Sequence, residues 1–229
     1  MALGFSFGGE NGNIIPIVKF DSRSGRMGRV DRQNGVEQVV DLTRTFRAVM
    51  DLENIEVGHI SFAAGMAPDF RVVRFGQPVP SAPSENHKSG FRLLLKLHKD
   101  LGGDVRELAS TAKACLRGVD ALHTAYLAGR DANPGKLPVV SLGEPVAITT
   151  GEGAKKSTNW SPTFQIIGWV DRPADLIWTP KAAAPAQASQ TAPAAVQAAS
   201  DSWGVPSTGS TPLAAPVAPA AALDPNDFG

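Results

Sequence analysis

The glycine-rich segment 151–162, GEGAKKSTNWSP, combines two adjacent lysines with a tryptophan. Lys155 and Lys156 supply positive charge, and Trp160 supplies an aromatic ring. Single-stranded nucleic acid is bound by this pairing, because cations neutralise phosphates while rings stack on bases. The segment is therefore a candidate nucleic-acid-binding loop, and the alternative is an ordinary solvated hairpin.

A second basic segment lies near the N-terminus, in DSRSGRMGRVDRQNG. Four arginines recur there at every third residue: Arg23, Arg26, Arg29 and Arg32. Gly25 and Gly28 stand between them, and arginine on glycine-rich backbone can follow a phosphate chain closely. A spacing of three alternates faces in an extended strand, so one basic stripe requires a loop or a twisted hairpin. The alternative is a set of solvated arginines with Asp21 and Asp31 as local partners.

Four aromatic residues are candidates for base stacking. Trp160 ranks first because it shares a segment with the two lysines. The others lie in strand-like runs, where each is either on a binding face or in the core: Phe46, Phe75 and Trp169.

No signature of an enzyme is present, and we expect a non-enzymatic protein without metal or cofactor. The four histidines have no metal-binding spacing with one another or with Cys115. The run GEGAKKS lacks the G-x-x-x-x-G-K-[ST] spacing of a phosphate loop, and G-x-S-x-G does not occur. An active site whose residues converge only in space remains a weaker third alternative.

Charge and cysteine content indicate the setting of the protein. The net charge is +0, but all 22 basic residues precede residue 182 while Asp201, Asp224 and Asp227 follow it, so the body is +3 and the tail −3. A mildly basic body suits a polyanionic partner. The single cysteine favours a reducing compartment, and neither a signal peptide nor a membrane-spanning apolar run is evident, so we expect a cytoplasmic protein away from membranes.

The hydrophobic pattern predicts a mainly β body with one helix. Strand-like runs are Ile14–Phe20, Val36–Val40, Thr45–Leu52, Ile55–Phe62, Phe70–Phe75, Phe91–His98, Leu137–Thr149 and Thr163–Val170. In Phe91–His98, apolar residues alternate with a partly basic set that includes Arg92 and Lys96. Apolar residues spaced three and four apart predict a helix over 104–128, with Asp104 as N-cap and Glu107 completing a capping box. Cys115 lies on its apolar stripe, which indicates a buried residue.

The pattern divides the chain into three parts. Residues 1–13 form a flexible arm, residues 14–180 form the folded domain, and residues 181–229 form a disordered Ala/Pro-rich tail. The tail ends in Asp224, Asp227 and Phe228, an acidic-aromatic tip that a long tether could offer to partner proteins. The alternative is a frayed C-terminus without a role.

The order of these elements resembles the OB-fold single-stranded DNA-binding proteins of bacteria and their phages. The resemblance covers residues 14–178 as architecture, with the closing segment NWSPTFQIIGWVDRP and the tail as further points of similarity. It implies an OB-like Greek-key barrel with the 104–128 helix between its third and fourth strands. Two departures stand out: the bacterial tips carry more acids and end on Phe, whereas Gly229 follows Phe228 here.

The resemblance implies sequence-tolerant binding of single-stranded DNA in phage or bacterial replication or recombination, inside the host cell if phage-encoded. Replication or recombination proteins would be partners of the tip. The barrel is longer than a minimal one, which leaves room for extra strands or a homodimer contact. The alternative function is a structural β protein of a virion or assembly, with the tail as a spacer.

Overall fold

The computed structural model describes residues 15–33, 36–64, 67–150, 152–153, 156–179 and 225–228. These residues contain twelve strands and one α-helix. The strands are β1 (Ile17–Asp21), β2 (Arg26–Gln33), β3 (Val36–Asp41), β4 (Arg47–Met50), β5 (Glu56–Ser61), β6 (Asp69–Arg74), β7 (Lys88–Leu97), β8 (Val105–Ser110), β9 (Lys136–Leu142), β10 (Val146–Thr150), β11 (Ser157–Ser161) and β12 (Phe164–Asp171). The helix is α1 (Lys113–Gly129).

Ten strands form one sheet, eight of them in the order β12-β9-β4-β7-β8-β1-β2-β3. Strand β5 branches from this path by pairing with β7, and β6 pairs with β5. The remaining two, β10 and β11, form a separate hairpin. The neighbours in the large sheet are antiparallel except for β1 and β8, which run parallel. Strands β12 and β3 end the path, and they do not pair with each other within the described residues. The predicted barrel is therefore not closed.

Strand β7 shows how the sequence creates the two faces of the sheet. Phe91, Leu93, Leu95 and Leu97 face α1, where they join the main core, whereas Arg92, Leu94 and Lys96 face the other way. The predicted alternation is confirmed. The second face, which we call the back face, is also buried, because later segments of the chain cover it.

The main core lies between the sheet and α1. Cys115, Val119, Leu122 and Tyr126 of the helix pack on apolar side chains of β1, β4, β7, β8 and β9. Burial raises the pKa of the Cys115 thiol to about 12. The predicted buried role of Cys115 is therefore confirmed, and a thiolate nucleophile is excluded at neutral pH.

Charged residues on the back face are held in ion pairs. Arg92, only 1% exposed, donates to Glu56 at 2.5 Å and to Glu107 at 2.7 Å. Residues 172–179 run across this face. Arg172 forms a two-pronged contact with Asp51 at 2.8 and 3.0 Å, Lys96 donates to Asp175 at 2.8 Å, and Arg92 donates to the carbonyl of Thr179.

The predicted start of the helix is wrong. Val105 to Ser110 is strand β8, which is paired on one side with β7 and on the other with β1, and the helix begins only at Lys113. Val105 and Leu108 match a helical spacing, but in the strand they lie on opposite faces. Glu107 does not complete a capping box, because its carboxylate accepts from Arg92.

The predicted disordered tail is also corrected in part. Pro225–Phe228 forms a short 3₁₀ turn against the body. The remainder of the predicted tail, including Asp224, lies outside the described residues, as does the N-terminal arm 1–13. Within the described ranges, no helix is long and apolar enough to cross a membrane.

Candidate nucleic-acid interface

The two basic segments singled out in the sequence lie next to each other. The backbone N–H of Trp160 in β11 donates to the carbonyl of Ser22, in the turn between β1 and β2, at 2.6 Å. The Trp160 ring covers Gly25 of the same turn, where a β-carbon would lie 3.1 Å from its Cγ. Gly25 has a φ of +71°, which other residues rarely adopt. Glycine is therefore required by both the turn and the ring.

Arginines surround this contact. Arg23 is exposed in the turn, and the side chain of Arg26 is 71% exposed, with Asp41 3.5 Å away. Lys156 is exposed one residue before β11, four residues from Trp160 along the chain. Lys155 lies outside the described residues. An exposed ion pair such as Arg26–Asp41 contributes little stability, so Arg26 can exchange Asp41 for a phosphate.

Beside Gly25 lies an open cavity of about 410 Å³. Its lining is polar and comprises Ser24, Gly25, Arg26, Asp41, Thr43, Arg44 and Thr45. Arg44 was missed in the sequence because it stands alone in the short loop between β3 and β4. It converges with Arg26 only when β2 and β3 pair. Two guanidinium groups with hydroxyls at one cavity form a suitable site for a phosphate.

Two carboxylates partly neutralise the positive charge of these arginines. Hydrogen bonds from Thr43, aided by Arg26 and Arg44, hold the pKa of Asp41 below its ordinary value. Hydrogen bonds from Ser24 and the backbone of Arg23 lower the pKa of Asp21. Both groups are therefore ionised at neutral pH, and a phosphate must compete with them for the arginines.

Arg29 and Arg32 are engaged elsewhere. Arg29 pairs with Asp31 at 2.9 Å and donates to the carbonyl of Leu101. Arg32 contacts Glu37 of the neighbouring strand at 2.6 Å. Arg23 and Arg26 therefore lie at the interface, whereas Arg29 and Arg32 lie further along β2. Alternation places Arg26 and Arg32 on one face of that strand and Arg29 on the other.

The four candidate stacking rings differ in burial and in their contacts. Phe46 is 2% exposed in the main core, and Trp169 stacks on Tyr126 with ring centroids 5.8 Å apart. Phe46 is therefore a core residue, whereas Trp169 is half-buried with one face against Tyr126. Trp160 is half-buried against the core. Phe75 is 55% exposed and contacts the His123 ring of α1 with centroids 4.5 Å apart.

Phe75 forms one edge of a second cavity of about 410 Å³, between α1 and strands β5 and β7. The lining is mainly apolar, with Arg117, Asp120 and His123 at the helix side. Burial lowers the pKa of His123, so its ring is neutral at pH 7.

Arg117 links the two regions. It also lines a smaller cavity, of about 260 Å³, that reaches Ser161 next to Trp160. The helix is held against this hairpin because Ser161 donates to the carbonyl of Ala114 at 2.9 Å. Arg117 and His123 could not be identified as site residues from the sequence. Helix periodicity identifies the buried stripe of α1 and does not indicate what lies near the other residues of the helix.

One arrangement outside this interface has the residue types of a hydrolytic triad. Ser84 lies 2.8 Å from Nδ1 of His87, and Nε2 of His87 lies 3.1 Å from Asp69. Burial would raise the pKa of Asp69, but hydrogen bonds from His87 and Arg71 outweigh it and lower that pKa. The ring nitrogens are exchanged relative to the usual triad, and Asp69 is shared with Arg71. The arrangement fastens the loop before β7 to β6.

No cluster of three or more potential metal ligands occurs within the described residues. Comparison with known proteins finds no family model that matches the chain, and no curated protein or solved structure that is significantly similar to it.

Proposed function

We propose that the protein binds single-stranded DNA without strong sequence preference, in the replication or recombination of a phage or bacterium. The observation that carries the proposal is the contact of Trp160 with Gly25. It brings the β1–β2 turn, which carries Arg23 and leads into Arg26, against one half-buried indole. Charge beside a ring is the combination that single strands require.

The strand order supports an OB-like Greek key. If β4, β7, β8, β9 and β12 are numbered first to fifth, α1 connects the third and fourth strands. The neighbours β9-β4-β7-β8 then have the spatial order 4-1-2-3 of a Greek key. An OB barrel closes partly or fully. Here β1 occupies the place beside β8 at which the fifth strand would close it.

The β5–β6 and β10–β11 hairpins follow the first and the fourth strands of this numbering. In OB folds, the loops after these two strands bind ligands. Strands β5 and β6 lie between β4 and β7, and their end carries Phe75. The β10–β11 hairpin lies between β9 and β12 and carries Trp160.

The proposed path of the strand runs along the outer side of α1. It begins at Phe75 and His123, passes Arg117, and ends at the cavity of Arg26 and Arg44 beside Trp160. The cations along it contact phosphates, while Phe75 offers an open ring face to a base.

The test is a titration of tryptophan fluorescence with oligo(dT) at 50 and 200 mM salt. We expect quenching and an affinity that falls with salt, because bound cations release the counterions of the strand. Replacing Arg23, Arg26 and Arg44 together with Ala should reduce the slope of log K against log salt by about 2, since each phosphate contact contributes roughly 0.7.

The matched control replaces Arg32, Lys88 and Lys136 with Ala, which removes the same charge from exposed positions outside the path. Its slope should stay near that of the wild type. An equal loss of slope in both variants would show that the effect depends on net charge alone. Absence of quenching at low salt, together with stable oligomers in light scattering, would favour the structural β protein instead.

A further inference from the structure

The C-terminal tip occupies a pocket on the back face of the sheet. Phe228 is 3% exposed and packs among six apolar side chains: Val49, Leu94, Leu137, Val139, Val170 and Leu176. Burial of a phenylalanine side chain to this degree removes its apolar surface from water, which stabilises the docked tip.

Polar contacts give the pocket selectivity for an acid beside the ring. The Asp227 carboxylate contacts Nζ of Lys99 and lies 3.4 Å from Nε2 of His98. The hydrogen bond from Lys99, together with that from His98, lowers the pKa of Asp227. The His98 ring also meets the Phe228 ring edge-on, with centroids 5.4 Å apart.

A hydrogen bond from the neighbouring backbone orients the ring of His98 for its contact with Asp227. Its Nδ1 accepts from the N–H of Asp100 at 3.2 Å, so in a neutral ring the proton resides on Nε2, which faces Asp227. The donor is therefore in place before an acid arrives.

The walls of the pocket do not depend on the tip. Five of the six apolar side chains belong to the paired strands β4, β7, β9 and β12. The sixth, Leu176, lies in the segment held by Arg172 on Asp51 and by Asp175 on Lys96. A pocket formed by paired strands and ion pairs persists when its ligand leaves.

The pocket and the candidate nucleic-acid interface are well separated. Phe228 packs on the back face, whereas Trp160 packs on the side of α1. Val18 lies beside Leu108 in the parallel pair, so the Ser22–Gly25 turn lies beyond the far end of β8 from Lys99. The six residues of β8 span about 20 Å.

We propose that this pocket is a recognition site for an acidic-aromatic peptide, and that its resident ligand is the tip of the same chain. Docking withholds Asp227 and Phe228 from other proteins and leaves the nucleic-acid interface open. Only this last clause rests on the proposed function. Residues 180–224 join Thr179 to the tip, so the tip competes for the pocket at the high effective concentration of a tethered ligand.

The experiment measures binding of a fluorescent peptide of residues 223–229 to full-length chains by anisotropy. The F228A chain, whose own tip cannot fill the pocket, should bind the peptide at least about tenfold more tightly than the wild type, because a tethered ligand competes at roughly millimolar concentration. The matched F62A chain, which loses an exposed phenylalanine, should behave as the wild type. A peptide with Phe228→Ala should bind no chain.

A second readout is the NMR signal of the His98 ring, which should shift in F228A and not in F62A. Equal peptide binding by all chains, or none by F228A with an unshifted His98 signal, would overturn the proposal. A dimer that dissociates in F228A would place the tip in a second copy and overturn the assignment to the same chain.

Oligo(dT) binding separates this proposal from the proposed function. We expect F228A to bind oligo(dT) as the wild type does. If the peptide binds as expected while neither chain binds oligo(dT), the proposed function fails and the peptide site stands. Tighter oligo(dT) binding by F228A would contradict the independence of the two sites.

Discussion

The Trp160 ring lies so close to Gly25 that a β-carbon at residue 25 would lie 3.1–3.3 Å from three of its carbon atoms. The contact joins the β10–β11 hairpin to the β1–β2 turn, and the proposed interface depends on it.

Gly25→Ala should therefore impair stability and binding together. The left-handed backbone alone costs about 1–2 kcal/mol, and crowding against Trp160 adds to it. The control is Gly135→Ala, where φ is +75° and nothing lies within 4 Å. Urea unfolding should show the larger loss for Gly25→Ala, and only this variant should weaken oligo(dT) binding. Equal losses would show that the ring yields freely.

Phe75→Ala should weaken binding and leave stability nearly unchanged, because the side chain is exposed. Loss of one stacked base costs about 1–3 kcal/mol, or roughly 5- to 150-fold in affinity. Phe62→Ala is the control, since Phe62 is similarly exposed at the end of β5 but contacts Phe70 and not the helix. A larger effect of Phe62→Ala in the oligo(dT) titration would move the proposed path to that side.

Arg92→Met should destabilise the fold by about 3–5 kcal/mol, because Glu56 and Glu107 would stay buried after losing their ion pairs with the Arg92 guanidinium. Arg32→Met breaks an exposed pair and should cost less than about 1 kcal/mol. Denaturant unfolding measures both. Adding Glu56→Gln and Glu107→Gln to Arg92→Met should recover part of the loss. No recovery would indicate that packing of the guanidinium matters more than its charge.

The contribution of Asp31 should depend on pH. Burial would raise its pKa, but Arg106 and Arg29 outweigh burial and lower the pKa in the folded state. A lowered folded pKa stabilises the protein above the unfolded value of about 3.9, and this stabilisation is lost as the pH falls through the folded pKa.

Asp31→Asn should thus be less stable than the wild type at pH 7, with a difference that shrinks in urea unfolding at pH 3. The control is Asp131→Asn, which removes a largely exposed carboxylate just after α1 and should cost less than about 1 kcal/mol at pH 7. A constant difference for Asp31→Asn across this range would mean that its charge is irrelevant to stability.

Much of the strand pattern could be predicted because alternation is a local property. The Phe91–His98 and Thr163–Val170 runs agree with β7 and β12 to within a few residues. The start of the helix could not be predicted, since β8 is a strand because it pairs with β7 and with β1, which lies far away in the chain. Local propensity favoured one long helix, and tertiary pairing overrode it.

The site was partly predictable for a similar reason. Arg23, Arg26, Lys156 and Trp160 lie in short segments whose composition is itself a signal. Arg44 and Arg117 joined them only through the β2–β3 pairing and the packing of α1. Phe46 and Trp169 share the residue type of a stacking ring, and only the three-dimensional packing shows that Phe46 is buried and that Trp169 lies against Tyr126.

The parallel pairing of β1 with β8 has a consequence for synthesis on the ribosome. Strand β1 can pair with β2 at once, but Ile17 also pairs with Glu107. About 90 residues must therefore be translated before β1 finds this second neighbour, which takes roughly 5–20 seconds. During that interval Val18, Phe20 and Met27 lack the strands and helix that later bury them. The nascent β1–β3 meander therefore exposes an apolar face to which a chaperone could bind.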